Sequence, residues 1–486
     1  MKLFATIIAL AGFFAASAQA HQETNISKWQ FSQTGAEWKA VTVPHDWAIS
    51  GPFDKKWDLQ MVAIKENGED KPTEHSGRSG SLPWIGKGFY KTTVHIAEGT
   101  AYAELKFDGA MADPEVSVNG KKAGHWAYGY NAFRVDITPY IHTGDNLIEV
   151  ALENEEESSR WYPGGGIYRP VTLITHANKS RLDLWGLQMQ TLSIDGGSAL
   201  IDIRHEGKDI PAGSMLKVSV TDKGGKVVAN ASSPADGMGG FHTQVSIADP
   251  QLWSPETPYL YDVKLSLVAD GKTLDVQHQK LGVRTVKFSA EGGFQLNGVT
   301  RKIKGVCLHH DLGPLGAAVN KAAIIRQIRI MKDMGADAIR TSHNMPSTMQ
   351  MEVCDSMGMM VMAESFDGWK DPKVRNGYGK LWDEWWQKDI TNLILNHRNH
   401  PSIIMWSVGN EIPEQWKPEG VERYKHLTAL CHRLDPSRQV TCGMDQPDGT
   451  MWAGFAQVAD VPGYNYRVHK YEEMMKRLPQ GFLLGS

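Results

Sequence analysis

The chain has 486 residues and a formal net charge of −4, with 41% hydrophobic and 22% charged residues. This composition is typical of a globular protein, and the length is sufficient for two to four domains. The small negative charge argues against a nucleic-acid partner, because no basic field is available to displace counterions from phosphates.

The N-terminus has the pattern of a secretory signal peptide over residues 1–20. Lys2 supplies a positive start, Leu3–Ala16 is an apolar stretch, and Ala18-Gln19-Ala20 matches a small-x-small cleavage site. The apolar stretch is shorter than the roughly 20 residues that a membrane-spanning helix needs, and no second such stretch follows. The sequence therefore predicts an exported protein, periplasmic or secreted, that has no membrane span and begins near His21.

The region that follows, up to residue 286, is predicted to be almost entirely β. Residues 90–96 alternate as a half-buried strand does, and Asn119-Gly120 is a strong signal for a two-residue hairpin turn. Turns recur at short intervals without a long helical period, which is typical of jelly rolls and other sandwiches. We predict a jelly-roll domain over residues 21–180 and an immunoglobulin-like β-sandwich over residues 181–286.

The pattern changes after this point, because helical and strand segments now alternate along the chain. Such alternation predicts βα units around a parallel sheet. Seven strands are predicted, including a buried one at residues 403–408, whereas a (β/α)8 TIM barrel needs eight strands to close. We therefore predict a partial TIM barrel over residues 287–486 that is incomplete at its C-terminal end. The alternative, an open doubly wound sheet, lacks a glycine-rich phosphate loop after its first strand.

Polar residues gather where these strands are predicted to end, which is where barrel enzymes have their active sites. Glu411 follows the strand at residues 403–408. A carboxyl group at the mouth of an apolar barrel is partly desolvated and can hold a proton near neutral pH, as a general acid must. Asn410 beside it can bind a substrate hydroxyl group. The alternative role for Glu411 is to stabilise a helix N-terminus, and Glu414 fits that role better.

Other strand ends supply further candidates. Arg340 can hold an anionic group by a charge-assisted bond, with a structural salt bridge as the alternative. His343 and Asn344 are candidates for binding substrate hydroxyl groups or for stabilising their own loop. His309 and Asp311 are candidates for substrate binding. Neighbouring side chains on a strand point to opposite faces, which argues against a single metal ion bound by all three residues of His309-His310-Asp311.

No cofactor is predicted. The alternative considered is a magnesium site: Glu364 follows the third predicted barrel strand, and with Glu411 it offers two carboxylates to a hard cation such as Mg²⁺. Two more polar residues at predicted strand ends, Asp367 and Asn465, are noted without an assigned role.

Four motifs, spread over most of the chain, carry a family resemblance. They are Arg160-Trp161-Tyr162-Pro163-Gly164-Gly165-Gly166-Ile167-Tyr168-Arg169, Gly282-Val283-Arg284, Ile339-Arg340-Thr341-Ser342-His343-Asn344 and Trp406-Ser407-Val408-Gly409-Asn410-Glu411. Together they resemble glycoside hydrolase family 2, the family of β-galactosidases, β-glucuronidases and β-mannosidases. The resemblance implies a sugar-binding jelly roll, an immunoglobulin-like domain and a catalytic barrel that hydrolyses terminal β-linked sugars with retention.

The resemblance also implies roles for individual residues. By similarity Glu411 is the acid/base, Asn410 contacts the sugar 2-hydroxyl, and Arg340 and Tyr466 steady the nucleophile. Retention needs a second carboxylate, and the family places it directly after the segment that Leu484-Gly485-Ser486 resembles. We therefore expect the 486-residue polypeptide itself to be inactive, because it lacks the attacking group.

The implied substrate is an oligosaccharide or simple glycoside, and a β-galactosidase is the favoured activity. β-Glucuronidase and β-mannosidase are the enzymatic alternatives. A non-catalytic carbohydrate-binding protein, in which the sandwiches bind the glycan and Glu411 is a relic, is an alternative of a different class. The sequence does not specify an oligomeric state.

Overall fold

The computed structural model describes residues 21–58, 71 and 80–486. The predicted signal peptide, residues 1–20, lies outside this part of the chain. Two β-sandwiches are followed by a curled parallel sheet with helices, and each has its own buried apolar core. None of the helices in the described ranges combines the length and the apolar character needed to cross a bilayer.

The first sandwich packs a four-stranded sheet against a six-stranded sheet. Its described strands are β1 (His21–Asn25), β2 (Lys28–Ser32), β3 (Lys39–Thr42), β4 (Gly86–Ile96), β5 (Tyr102–Phe107), β6 (Glu115–Val118), β7 (Lys121–His125), β8 (Phe133–Asp136), β9 (Gly144–Asn154) and β10 (Val171–His176). The sheet orders are β1-β10-β5-β8 and β3-β2-β4-β9-β6-β7. Tyr90, Val94 and Ile96 in β4 are buried. The predicted hairpin turn is confirmed, since Asn119 and Gly120 both have the positive φ of such a turn.

The second sandwich is smaller and entirely antiparallel. Its strands are β11 (Arg181–Leu182), β12 (Gln188–Asp195), β13 (Ser198–Lys208), β14 (Met215–Thr221), β15 (Val227–Pro234), β16 (Gly240–Ala248), β17 (Tyr261–Ala269) and β18 (Lys272–Leu281). In one sheet β13 pairs with β11, β12 and β16, and the other sheet has the order β15-β14-β17-β18. Alternate residues of β17, such as Val263 and Leu265, are fully buried between the sheets, as period-two patterning requires.

The third part is the predicted partial barrel. A small antiparallel sheet leads into it, made of β19 (Val286–Ser289), β20 (Gly293–Leu296) and β21 (Val299–Thr300). The barrel elements are β22 (Gly305–Leu308), α1 (Lys321–Asp333), β23 (Ala338–Thr341), α2 (Thr348–Met357), β24 (Met360–Glu364), α3 (Trp382–His397), β25 (Ile403–Asn410), α4 (Pro418–Leu434), β26 (Gln439–Met444), α5 (Pro447–Ala453), β27 (Val461–Tyr464), α6 (Tyr471–Arg477) and β28 (Leu484–Gly485).

The seven parallel strands pair in chain order from β22 to β28, and within the described residues these two outer strands do not pair with each other. The sheet is therefore an incomplete (β/α)8 barrel, as the alternating pattern predicts. The domain boundaries at residues 180 and 286 stay predictions.

The first sandwich is bound to the barrel through Arg169, the last arginine of the first motif. Its side chain is 1% exposed and donates to the backbone carbonyls of Asp108 and Tyr130 in the sandwich, and of Met345 and Pro346 in the barrel loop after β23. A buried guanidinium needs this many acceptors to compensate its lost hydration. The loop that carries His343 is thus positioned by the sandwich.

A second contact between these two parts is built around Asp389 on α3. Its fully buried carboxylate accepts hydrogen bonds from Trp126 Nε1 (2.9 Å) and Asn131 Nδ2 (2.8 Å) of the sandwich, and from the Tyr378 hydroxyl (2.6 Å). Burial raises the pKa of Asp389 to about 7, and the hydrogen bonds only partly offset this.

This shift predicts a pH-dependent interface. An unfolded aspartate titrates near pH 4, whereas folded Asp389 keeps its proton up to about pH 7. Between these values the folded state binds more protons, so stability is highest at the acidic end and is lost as the pH rises. We expect Asp389→Asn, which mimics the protonated acid, to remove this loss, which amounts to up to about 4 kcal/mol.

Urea unfolding of both proteins between about pH 4 and pH 8 measures the effect. Asp383→Asn is the matched control, because Asp383 lies on the same helix but its side chain is 75% exposed. The control should keep the wild-type slope. A slope that is the same in wild type and in the Asp389 variant would contradict the assignment.

Candidate active site

The site lies at the C-terminal ends of the barrel strands and is centred on the end of β25. All eight residues of β25 are buried, and the side chain of Glu411, the next residue, is only partly buried. Glu411 has a φ of 43°, and its backbone N–H donates to the Gly443 carbonyl at 2.6 Å. The chain therefore leaves the extended conformation at Glu411, which places its carboxylate at the strand end instead of inside the barrel.

Two residues that follow β27 contact this carboxylate. Asn465 Nδ2 donates to Glu411 Oε1 at 2.8 Å. Tyr466 lies next to the same group, and burial and the Glu411 carboxylate together raise the pKa of its phenol. The acid/base role of Glu411 and the nucleophile-supporting role of Tyr466 stay predictions.

Four buried side chains, which we call the Arg340 network, lie directly beneath Glu411. Arg340 donates from Nε to Glu364 Oε2 (2.8 Å), from Nη2 to Asn410 Oδ1 (2.9 Å) and from Nη1 to Asn465 Oδ1 (3.2 Å). None of the four is more than 5% exposed. One guanidinium thus joins residues from the ends of β23, β24, β25 and β27, and the salt-bridge alternative considered for Arg340 is present.

Glu364 is the anionic member of this network. Besides Arg340 it contacts His343 Nδ1 at 2.6 Å and accepts the Ser407 hydroxyl at 2.5 Å. Burial alone would raise the pKa of Glu364, but Arg340 and His343 outweigh it and hold the pKa below its usual value. The predicted magnesium site with Glu411 is untested, and these contacts do not favour it, because the Glu364 charge is already compensated by Arg340.

A second carboxylate, Asp367, joins the first sandwich to the site; its side chain is 15% exposed. Arg160 binds it with Nε at 2.7 Å and Nη2 at 2.5 Å, and Lys373 Nζ contacts it at 3.0 Å. Burial would raise the pKa of Asp367, but the two cations hold it well below its usual range. Asn410 Nδ2 also donates to Asp367 at 2.9 Å. We call Asp367, Arg160 and Lys373 the Asp367 triad. Asn410, a member of the Arg340 network, therefore connects that network to the triad.

Glycine at position 443 allows the guanidinium to approach the backbone of β26. A Cβ at this position would lie 2.6 Å from Arg340 Nη2 and 3.0 Å from Asn465 Oδ1. The first distance is far below a normal contact, and both atoms belong to a buried, fully hydrogen-bonded group that cannot shift cheaply. The absence of a side chain at Gly443 is thus a requirement of the Arg340 network.

The remaining predicted residues lie at the edge of the site. The His309 ring stacks on Trp161 with 5.1 Å between centroids, and its Nδ1 contacts the Ser342 carbonyl at 2.8 Å. Asp311 accepts the Gly313 N–H at 3.2 Å. Asn344 is 1% exposed and donates to the same Ser342 carbonyl at 3.3 Å, which favours its loop-stabilising role. Substrate contacts by His309, Asp311, His343 and Asn344 stay predictions.

Some site residues were not found by reasoning from the sequence. Lys373 lies in an irregular segment where no periodicity indicates which way a side chain points. Ser407 lies inside a strand that reads as continuously apolar, and only the unexpected hydroxyl in that run could have indicated a buried partner. Arg160 was recognised as part of a motif, but nothing in the sequence places it against Asp367.

Comparison with known proteins gives the family. Models of glycosyl hydrolases family 2 match three successive parts of the chain: the sugar binding domain over residues 8–177, the family 2 domain over residues 187–284 and the TIM barrel domain over residues 289–480. The order of these three matches agrees with the two sandwiches and the incomplete barrel of the structure. The chain belongs to glycosyl hydrolase family 2.

Two curated relatives illustrate the range within the family. The chain is 35% identical over 472 residues to the β-galactosidase BoGH2A of Bacteroides ovatus, covering 88% of this chain and 53% of that protein. It is 30% identical over 465 residues to a β-glucuronidase of Bacteroides fragilis, covering 87% of this chain and 61% of that protein. The chain therefore spans about half the length of the curated relatives it matches.

Solved structures agree with the fold. A family 2 glycosyl hydrolase from Bacteroides cellulosilyticus superposes with a TM-score of 0.86 at 32% identity, covering 94% of this chain and 60% of that one. A β-glycosidase from Bacteroides vulgatus gives a TM-score of 0.81 at 34% identity, with coverages of 94% and 58%.

The Arg340 network generates a stability prediction. Replacing Arg340 by Met leaves the Glu364 charge buried with its main partner removed, which typically costs about 3–5 kcal/mol. We expect the urea midpoint of the barrel to fall accordingly at neutral pH. The deficit should shrink in acid, because a protonated Glu364 no longer needs a cation.

Arg329→Met is the control, since Arg329 lies on an exposed position of α1. It should leave the midpoint nearly unchanged. Equal midpoints for the two variants, or a deficit for Arg340→Met that does not depend on pH, would show that the buried pair is not what stabilises this end of the barrel.

Proposed function

We propose that this chain carries the acid/base side of a retaining exo-β-glycosidase whose substrate is an oligosaccharide or simple glycoside. One observation carries the proposal. Three carboxylates are hydrogen-bonded to Arg340, Asn410 or Asn465. Of these, Glu364 and Asp367 form salt bridges with cations, whereas Glu411 makes no salt bridge within the described residues. An unpaired carboxyl group can alternate between acid and base, which a salt-bridged one cannot readily do.

In this proposal Glu411 protonates the glycosidic oxygen and then removes a proton from the attacking water. The Asn465 amide fixes one carboxyl oxygen of Glu411 and so orients the group. Asn410 has its carbonyl oxygen occupied by Arg340 and Asn465, and one amide proton by Asp367. A primary amide has two N–H donors, so one remains for a sugar hydroxyl, in agreement with the expected contact to the 2-hydroxyl.

The second carboxylate is proposed to follow Ser486 in the gene product. Retention requires the two carboxyl groups to be about 5 Å apart. The Ser486 hydroxyl donates to Asn465 Oδ1 at 2.8 Å, and its backbone N–H donates to the Tyr464 carbonyl at 3.0 Å. Because Asn465 also holds Glu411, a residue after Ser486 would emerge beside the same amide group as the acid/base.

The proposed sugar is galactose. A β-glucuronidase needs a cation that is free to bind the sugar carboxylate. Among the described residues, the cations nearest Asn410, namely Arg340, Arg160 and Lys373, are each paired with Glu364 or Asp367. Relatives with both activities are known, so this charge balance is the feature that favours a neutral sugar. Parallel assays with nitrophenyl β-galactoside, β-glucuronide and β-mannoside distinguish the three.

The role of Glu411 predicts a specific kinetic pattern. In the gene product extended beyond Ser486, Glu411→Gln should lower kcat/KM by about 10²–10⁴-fold for glycosides with poor leaving groups. The loss should be smaller for nitrophenyl glycosides, because nitrophenolate leaves without protonation. Added azide should restore turnover and yield the glycosyl azide, since a small anion needs no base to attack the covalent intermediate.

Glu419→Gln is the matched control, because Glu419 lies on the exposed face at the start of α4. It should retain full activity. The polypeptide that ends at Ser486 should be inactive on every substrate. Turnover by that polypeptide, or an unchanged rate for Glu411→Gln, would refute the proposed roles. Glycan binding that persists after deletion of residues 287–486 would instead favour the non-catalytic alternative.

We also infer that the protein is exported, with cleavage after Ala20 of the predicted signal sequence. N-terminal sequencing of the secreted or periplasmic protein should then begin at His21. A protein that keeps its first residues and stays in the cytoplasm would contradict the inference.

A further inference from the structure

A group of three potential metal ligands lies where the two sandwiches meet. His21 on β1 and His176 on β10 are directly paired in the first sandwich, and Asp275 lies on β18 of the second. Asp275 is fully buried and His176 is 3% exposed, while the His21 side chain is 10% exposed. The group has no part in the proposed glycosidase site.

The histidine nitrogens lie slightly farther from Asp275 than an ordinary direct hydrogen bond allows. His21 Nδ1 lies 3.4 Å from Asp275 Oδ1, and His176 Nδ1 lies 3.6 Å from Asp275 Oδ2. Both nitrogens are buried, and neither has a hydrogen-bond partner within the described residues. Each nitrogen lies within ion-pairing distance of Asp275. Two buried nitrogens that make no hydrogen bond are nevertheless unusual, because such atoms normally find a partner.

The same spacing suits a shared metal ion. One ligand atom from each of the three residues can be chosen so that all lie within 4.8 Å of one another. Around a tetrahedral zinc ion with bonds of about 2.0–2.1 Å, neighbouring ligand atoms lie about 3.3–3.4 Å apart. Each histidine nitrogen lies near this distance from a different oxygen of Asp275. To hold one ion, the three ligand atoms must therefore move closer together than the 4.8 Å limit.

Hydrogen bonds to neighbouring groups orient two of the three proposed ligands, His21 and Asp275. His21 Nε2 is 3.0 Å from Glu23 Oε1, which leaves Nδ1 for the metal, as in the carboxylate–histidine–zinc arrangement. The Asp275 oxygens accept the backbone N–H groups of Leu182 and Val276, each at 2.8 Å. The carboxylate is therefore fixed in place by the second sandwich, whether or not an ion is bound.

We propose that His21, His176 and Asp275 form a structural zinc site that joins the two sandwiches. Two imidazoles and one carboxylate are a borderline ligand set that suits zinc, whereas magnesium and calcium prefer oxygen ligands alone. Water completes the coordination. The proposed cleavage after Ala20 retains His21, so the exported protein keeps all three ligands.

The test uses the intact gene product purified without a histidine tag. After incubation with zinc chloride and removal of the excess, elemental analysis should give one zinc per chain. Zinc should raise the melting temperature and EDTA should reverse the rise, because an ion that binds only the folded state stabilises it. Replacement by Co²⁺ should give the visible absorption of a tetrahedral cobalt site.

Three variants locate the ion. His21→Ala, on an edge strand, and His176→Ala should each lose the bound zinc and the zinc-dependent rise in melting temperature, and so should Asp275→Asn. His95→Ala is the control, because His95 and Asp145 form an exposed pair at 2.9 Å on the first sandwich. It should keep the zinc and the stabilisation.

Each other outcome overturns the proposal. If the wild-type protein takes up no zinc and its melting temperature changes with neither zinc nor EDTA, then His21, His176 and Asp275 form a metal-free ion-pair cluster. Zinc that is bound equally by His21→Ala and by wild type would belong to another place on the protein. His21→Ala keeps the test valid even if the variants at the buried positions fail to fold.

Discussion

The buried salt bridge between Arg340 and Glu364 is the interaction on which the site depends. Two charges placed inside an apolar barrel are tolerated only when nearly every donor and acceptor is used. Arg340 meets this condition by also binding Asn410 and Asn465, and Glu364 by also binding His343 and Ser407. The requirement to satisfy the charges therefore fixes both asparagines, and these in turn fix Glu411.

The first sandwich is a structural part of the barrel mouth. Arg160 reaches Asp367, whose other oxygen contacts include Lys373 and the Asn410 amide. Arg169, nine residues further on, holds the loop that carries His343. One motif of the sandwich thus supports both sides of the strand-end site. This arrangement gives a physical reason why a sugar-binding domain and a catalytic barrel are joined in one chain.

The sequence predicts the barrel strands and the polar residues at their ends, because both follow from the periodic pattern of apolar residues. Parallel strands end at one edge of the sheet, so Arg340, Asn410 and Glu411 were expected to meet once their strands were recognised. The helices α5 and α6 were not predicted, because each has only seven residues and shows little periodicity. Lys373 lies in an irregular loop, and its contact with Asp367 depends on tertiary packing that no local pattern encodes.

The pairing of each carboxylate with a cation was the feature least predictable from the sequence. A sequence shows that Glu364, Asp367 and Glu411 all follow barrel strands, but it does not show which of them are neutralised. That difference depends on Arg160, some two hundred residues away along the chain, and on the burial that only the folded barrel creates. In the proposed mechanism, it also separates the two salt-bridged carboxylates from Glu411, the carboxylate that would transfer protons.

A crystal structure of the extended gene product with a sulfur-linked, non-hydrolysable β-galactoside tests the central claim most directly. The account predicts that the bridging sulfur, which stands in for the glycosidic oxygen, lies within about 3.2 Å of a Glu411 carboxyl oxygen, with the sugar above Asn410. A sugar bound elsewhere, with Glu411 turned toward a cation instead of the bridging atom, would contradict it.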